Sequence, residues 1–404
     1  MALTTSPVLR SVPSTAAQKS TLSILGATGS VGQSTLDLVA HAPERFEIVA
    51  LTAQSNAEKL AQQALKFGAR LAVIGDPSLY DELRARLAGS KTEVAAGGAA
   101  LIDAAAQPAD CVVCAIVGAA GLRPSIAAAR QGRRVALANK ECLVSAGDIF
   151  MREIASAGTT LLPVDSEHSA VHQVIEGENA ANLERLVITA SGGPFRTWTR
   201  DEIASALPEQ ALRHPNWSMG AKISIDSATM MNKGLELIEA FHLFAVAPGK
   251  LDVVVHPQSI VHCLVEFCDG AVIAQLANPD MRTPIARSLA WPDRMEAPTE
   301  RLDLVKLGSL TFEAPDLNRF PALGLAQEAL AAGGSAPNVL NAANECAVAA
   351  FLEKRVSFPM IAGVVADTLE RAEGKGLMRG AVSIDDVLAI DFGARQLAHE
   401  LIED

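Results

Sequence analysis

The feature that most narrows the fold is a buried strand that runs into a glycine turn and then a helix. Residues 21–25, TLSIL, read as the strand, Gly26-Ala-Thr-Gly29-Ser-Val-Gly32 as the turn, and Gln33 to Ala40 as the helix. Glycines let a backbone come close to a pyrophosphate, and the unpaired N–H groups at the helix start bind it. The spacing is G-x-x-G-x-x-G rather than G-x-G-x-x-G, so context carries the reading more than the pattern does. The next strand, FEIVALT at 46–52, leads into Ala53-Gln54-Ser55-Asn56. An NAD-selective site carries an acid near this point for the ribose 2′-hydroxyl, and none is present. Gln54, Ser55 and Asn56 are neutral and tolerate a 2′-phosphate, with Lys59 close in sequence, so NADP is expected rather than NAD.

Strands and helices then alternate. Residues 71–74, 111–117, 134–138 and 160–164 read as strands with Ala-rich helices between them, the pattern of a doubly wound parallel sheet. Ligands of such sheets lie beyond the carboxyl ends of strands. Two polar clusters fall at such ends: Asn139-Lys140-Glu141 and Asp165-Ser166-Glu167. In an extended segment Asp165 and Glu167 project to the same side. Paired carboxylates repel unless a cation or a shared proton intervenes. With no His/Cys cluster at ligand spacing, an all-oxygen site for Mg²⁺ or Mn²⁺ is the natural expectation. The plainer alternative is a polar loop that caps a helix.

Lys222 to Glu236, KISIDSATMMNKGLE, is the densest stretch of functional side chains. Ile223 and Ile225 alternate with polar residues, which predicts a short strand; Asp226-Ser227 then predicts a helix start. On that helix Asn232, Lys233 and Glu236 share one face. A hydroxyl, an amide and an ammonium suit a phosphate, and a carboxylate one turn on suits a hard cation. Upstream, RLVITA at 185–190 is a strand ending in Ser191-Gly192-Gly193, and the chain continues to His214-Pro-Asn-Trp217-Ser-Met-Gly220. Glycines at one end and an aromatic at the other suggest a lid. His256 and His262 read as structural. From Trp291 to Pro321 prolines interrupt any helical period, which predicts a linker, and helical patterns follow near 322–333, 337–355, 358–374 and 384–402. Ser335 and the Ser383/Asp386 pair read as helix caps.

The chain has 404 residues, enough for two or three domains, and its formal charge of −12 argues against a nucleic-acid or anionic-membrane surface. No apolar run approaches the length of a membrane span. The six cysteines sit mostly in apolar runs and read as reduced thiols of a cytoplasmic protein. Cys111 and Cys114 form a C-x-x-C inside a strand, which favours packing over redox chemistry. Residues 1–20 carry no acid and read as a disordered tail.

Taken together, GATGSVG, ALANKE, PVDSEHSA, ITASGGPF, HPNWSMGAKISIDSATMMNKGLE, HPQSIVH, NPDMRTPI and NAANE make the chain similar, from about Thr21 onward, to the 1-deoxy-D-xylulose 5-phosphate reductoisomerases. The resemblance implies an α/β fold: an N-terminal Rossmann-like NADPH-binding domain (21–164), a central α/β catalytic and dimerisation domain (165–290) with a lid at 191–220, a linker (291–321) and a C-terminal four-helix bundle (322–404). It implies NADPH contacts from Thr28, Gly29, Ser30, Val31, Asn139, Glu141 and Gly220. Asp165, Glu167 and Glu236 are implied as ligands of Mg²⁺ or Mn²⁺. Lys140, Ser166, Glu167, Ser191, His214, Ser227, Asn232, Lys233 and Glu236 are implied as the set for a phosphorylated sugar. Lys140, His214 and the three carboxylates are the candidate catalytic groups. The implied reaction is a rearrangement of the carbon skeleton followed by hydride reduction, in a homodimer. Two departures stand out. The family often has Gly and a basic residue where this chain has Gln54-Ser55, and Ala221 replaces a residue that is often basic. The rival readings are a semialdehyde dehydrogenase type of enzyme, for which Cys142 would be the nucleophile, and a non-catalytic NADPH sensor.

Overall fold

The computed structural model describes residues 19–175, 180–217 and 219–403. Seven strands form the first sheet: β1 (Ser20–Leu25), β2 (Phe46–Ala53), β3 (Leu71–Ile74), β4 (Glu93–Ala96), β5 (Cys111–Cys114), β6 (Arg134–Leu137) and β7 (Thr160–Pro163), in the order β4-β3-β2-β1-β5-β6-β7. Every pairing is parallel. Parallel strands covered on both faces read as continuous apolar runs, and Leu22, Ile24, Val113 and Val135 are fully buried accordingly. Each such side chain contributes roughly 2 kcal/mol of burial. The strand order reverses between β1 and β5, where this topology opens its crevice. Gly26 sits there at φ 86°, and a Cβ on it would lie 2.6 Å from the Ala115 carbonyl oxygen, so only glycine lets the two loops meet.

Most of the proposed disordered tail, residues 1–18, lies outside the described residues. Its last two residues belong to the fold: Lys19 donates to the Pro43 carbonyl and Ser20 opens β1. The second sheet holds β8 (Leu183–Ala190), β9 (Leu251–Val255), β10 (Val261–Phe267) and β11 (Val272–Leu276) in the order β11-β10-β8-β9. Only β8 and β9 run parallel within it. The helices Ser166–Ile175 and Met231–Phe244 pack on this sheet.

The segment 222–225 is not a strand. Gly220 starts a helix, Ala221–Thr229, in which Lys222 reaches Asp226 one turn on at 2.9 Å. That i, i+4 pair and the burial of Ile225 outweigh the local alternation. Met230, at φ 66°, breaks the chain, and Met231–Phe244 begins at once. Asp226 and Ser227 therefore close the first helix instead of opening the second.

The C-terminal helices Pro321–Ala332, Ala336–Leu352, Phe358–Gly374 and Ile384–Glu403 share one buried core with the second sheet and with helix 231–244. Helix 336–352 is buried nearly all round, as a central helix of a bundle must be. Gly234 faces helix 321–332 so closely that a Cβ would lie 2.3 Å from the Ala326 Cβ. Ser335 stands at the N-cap of its helix but its side chain makes no cap hydrogen bond; its N–H donates to the Met378 carbonyl. Ser383 does accept from the Asp386 N–H, but Asp386 turns its carboxylate to Arg379 and the Val382 N–H, so the reciprocal half of the box is missing. Helix Arg282–Ala290 packs on helix Ser30–His41, on β6 and β7 and on helix 166–175, so it joins the first sheet's core although the second sheet precedes it in sequence. The following segment is stitched to β9 through an antiparallel bridge between Val255 and Glu313.

Candidate active site

A cavity of about 310 Å³ lies outside the carboxyl ends of β6, β7 and β8 and beside the start of helix 30–41. Each wall comes from a short local device. The chain leaves the pleat within three residues of each strand's end, which puts Lys140 past β6, Asp165 past β7 and Ser191 past β8. The left-handed break at Met230 turns Asn232, Lys233 and Glu236 into the same space.

At the centre three carboxylates enclose two ammonium groups. Lys140 Nζ lies 2.6 Å from Asp165 Oδ2 and 3.1 Å from Glu236 Oε1, and it donates to Asn232 Oδ1 at 2.7 Å. Lys233 Nζ lies 2.6 Å from Glu167 Oε1 and 2.5 Å from Glu236 Oε2. Asn232 also donates to Glu236, as its place one turn earlier on the same helix allows. One ligand atom from each of Asp165, Glu167 and Glu236 falls within 4.8 Å of the others. Three negative charges against two positive leave the cluster one short of a cation. Burial and the charges of Asp165 and Glu167 push the Glu236 carboxyl up to about 7 despite the lysines. Burial opposes ionisation of Asp165, yet Lys140, His168 and Lys233 hold it well below the usual carboxylate range. Both lysines lose charge stability by burial and regain more from their carboxylates, so each stays protonated.

Behind this cluster His168 is fully buried. Its Nε2 faces the Glu236 carbonyl at 2.9 Å and its Nδ1 lies 3.1 Å from Glu239 Oε2. The ring thus lies between a carbonyl and a carboxylate, both of which favour its charged form. Burial lowers the ring's pKa, but Glu239 and Asp165 outweigh it and raise the value to about 9. Asp165, His168 and Glu239 also converge closely enough for a metal. Of the two groups, only the three-carboxylate one lines the cavity with all its members; His168 and Glu239 stand behind it. The carboxylate triad is thus the better fit for a hard divalent cation.

The opposite wall is built for an anion. His214 Nδ1 accepts the backbone N–H groups of Asn216 at 3.2 Å and Trp217 at 3.0 Å. Its proton is therefore on Nε2, which meets Ser191 Oγ at 2.9 Å. Burial and the charge of Lys233 depress the ring to about 4, so His214 is a neutral donor. Gly193 donates to the same hydroxyl at 3.1 Å from a left-handed backbone at φ 68°. A Cβ there would come within 2.7 Å of the Ser227 carbonyl oxygen. Ser166, Ser227, Asn232 and Lys233 all reach the cavity, as do Ser30 and Val31 from the glycine turn. No side chain caps helix 30–41 and no acid lies in its first turn, so its leading N–H groups suit a phosphate.

Other predicted residues lie further out or face inward. Gly29 is exposed at the helix start, Thr28 is half-buried, and Gly220 is exposed before helix 221–229. Gln54, Ser55 and Asn56 stand exposed beyond β2, where Asn56 caps the next helix by accepting from Lys59 N–H. The Asn139 side chain is buried and spends its polar atoms on the Ile116 and Gly118 carbonyls and the Cys142 N–H. Glu141 is buried against Lys222 at 3.1 Å. Cys142 is buried away from the cavity with its thiol pushed up, which removes the nucleophile the semialdehyde reading needs. Cys111 and Cys114 are buried in β5, as packing predicts.

Ser259, Asp280 and Met281, which sequence reasoning passed over, line the cavity, and so does His262. The His262 ring meets Trp217 edge-on at 6.5 Å. Their signal lay in HPQSIVH and NPDMRTPI: Ser259 follows β9, His262 lies in β10 and Asp280 follows β11, strands that the sequence alone did not reveal.

Family models match three parts of the chain: 1-deoxy-D-xylulose 5-phosphate reductoisomerase over residues 22–147, its C-terminal domain over 161–244, and a second DXP reductoisomerase C-terminal domain over 276–397. The 1-deoxy-D-xylulose 5-phosphate reductoisomerase of Afipia carboxidovorans is 56% identical over 381 residues, covering 94% of each chain. That of Zymomonas mobilis is 54% identical over 386 residues, covering 96% of this chain and 98% of the relative. A solved structure of the Zymomonas mobilis enzyme in complex with NADPH superposes with a TM-score of 0.90 at 52% identity, covering 96% of this chain and all of that one. A DOX-P reductoisomerase in complex with NADPH, fosmidomycin and magnesium also reaches 0.90, at 43% identity and 95% and 98% coverage.

Proposed function

Because the chain belongs to the 1-deoxy-D-xylulose 5-phosphate reductoisomerase family, we propose that the cavity between the two sheets is where its reaction runs, with the residues described above in the following roles. The protein is an NADPH- and divalent-metal-dependent oxidoreductase. It rearranges and reduces 1-deoxy-D-xylulose 5-phosphate to 2-C-methyl-D-erythritol 4-phosphate in isoprenoid synthesis.

Asp165, Glu167 and Glu236 would hold the cation; the closeness of their oxygens is the observation that carries this reading. Residues at the start of helix 30–41, with Ser30 and Val31, would hold the cofactor's phosphates. When bound, the cation supplies Lewis-acid polarisation of the substrate's oxygens and NADPH supplies the hydride. Lys140, buried and protonated, offers charge to an oxygen that becomes negative as carbon–carbon bonds change. Lys233, Ser191, Ser227, Asn232 and the neutral His214 bind the phosphate end, which orients the reacting carbons at a distance. Trp217 and Met219 cover the cavity and exclude water. Gln54, Ser55 and Asn56 would border the 2′-phosphate without a cation of their own.

The test follows NADPH absorbance with the substrate, with and without Mg²⁺ or Mn²⁺, for the parent and Glu236→Gln. Metal-dependent oxidation that collapses in the variant supports the assignment. Oxidation that persists in the variant removes Glu236 from the cation site, and NADPH binding without turnover favours the sensor. We also propose a homodimer through the central domain. The edge strand β11 exposes Val272 and Ile273 at 53% and 36%, a surface that pairing would cover. Light scattering reads the mass. The cytoplasm is proposed from six free cysteines, five of them buried.

A further inference from the structure

We infer that Asn216 is a positioning residue, a latch whose side-chain amide holds the 214–217 turn over the cavity. The inference rests on reading that turn as the lid of the proposed site. Asn216 does not line the cavity, whereas His214, Trp217 and Ser259 around it do. Its Nδ2 donates to the Pro257 carbonyl at 2.7 Å and to Ser259 Oγ at 2.8 Å. Both protons of one amide are thus committed to one loop across the cavity mouth.

The receiving loop is fixed from behind. The His256 N–H donates to the Ala190 carbonyl, and the His256 ring faces the Thr311 carbonyl at 2.8 Å. Gln258 exchanges hydrogen bonds with Thr311 on the linker segment. Ser259 is buried and holds a left-handed backbone at φ 53°, a conformation a serine keeps only where its surroundings dictate it. The loop is therefore an anchor, and the lid turn is the part that moves against it. That turn is a unit in itself, since the His214 ring captures the N–H groups of Asn216 and Trp217. Releasing Asn216 frees His214 and Trp217 together, and with them the proton that His214 aims at Ser191.

The experiment compares full-length Asn216→Ala and Asn216→Asp with the parent, in the presence of NADPH and Mg²⁺. Aspartate fills the same space but has no proton for the Pro257 carbonyl. Alanine loses both hydrogen bonds, and aspartate loses the one to Pro257 and sets a carboxylate against that carbonyl, so a rise of about tenfold in the substrate KM is expected in both variants, with kcat within about threefold of the parent. Hydrogen exchange read by mass spectrometry should quicken about fivefold or more in the peptide spanning 212–220 and nowhere else, with no change in the thermal midpoint. Unchanged KM and exchange in both variants would overturn the latch. So would a joint fall of kcat and thermal midpoint with faster exchange throughout the chain, because that marks a general structural role. If the parent itself fails to turn the substrate over, the functional reading fails, while the exchange comparison still decides the latch.

Discussion

Replacing Glu236 by glutamine should make the metal-free protein more stable at pH 8 while abolishing its activity. Glu236 is almost fully buried between two other carboxylates, and its folded pKa is raised from 4.5 to about 7. A carboxyl raised in this way holds its proton more tightly when folded. Folding therefore loses free energy as pH climbs from about 4.5 to about 7, and the full cost applies above that range. At about 1.4 kcal/mol per pH unit the cost at pH 8 is roughly 3 kcal/mol. Glutamine carries no charge to penalise. Lys140 keeps Asp165 at 2.6 Å and Lys233 keeps Glu167 at 2.6 Å, so neither ammonium is left unpaired. Urea unfolding in chelator should show the variant up to about 3 kcal/mol more stable at pH 8, with the gap closing near pH 5. Mg²⁺ should raise the parent's stability and leave the variant's nearly unchanged. A variant less stable than the parent at pH 8 in chelator would refute the argument, since it would mean that the lysines already offset the crowding.

Three further outcomes follow from the same geometry. His214, depressed to about 4 by burial and Lys233, should stay neutral in an NMR titration down to about pH 5; because its folded pKa lies below its unfolded value, it favours folding above about pH 6.5 and loses that contribution as pH falls toward 4. Gly193→Ala should destabilise by about 2 kcal/mol or more, read by chemical denaturation, because the new methyl meets the Ser227 carbonyl in a left-handed backbone; a loss below about 0.5 kcal/mol would show that the loop yields freely. With a thiol reagent at pH 8 the native protein should expose a single fast cysteine, Cys268, since burial pushes Cys111 up to about 11 and Cys114 and Cys263 up to about 12.

The first sheet was legible because parallel strands buried on both faces leave unbroken apolar runs, and because a glycine turn between strand and helix has few other uses. The clusters past β6 and β7 could be placed at one crevice for the same reason. The helix 221–229 was misread because Ile223 and Ile225 alternate over too few residues to set a period, and the decisive pair, Lys222 with Asp226, is a tertiary choice as much as a local one. The second sheet was invisible beyond β8: β11 is an edge strand with exposed apolar residues, and β10 is buried on both faces for much of its length, so neither alternates cleanly. Ser259 was missed with it. Asn139 shows the limit of reading roles from a motif, since its side chain ties two loops together where the motif alone suggests a ligand contact.

The contact between Gly234 and Ala326 links the cavity to the C-terminal helices. Gly234 lies between Lys233 and Glu236, and the helix behind it leaves no room for even a methyl group. The carboxylate's address is thus written about ninety residues downstream, in a segment that touches no part of the cavity. A recombinant hybrid that joins this catalytic half to a relative's C-terminal helices would inherit that relative's spacing at position 326 along with them. Neither position can grow without the other giving way, which makes the C-terminal helices a co-inherited part of the active site instead of a detachable appendix.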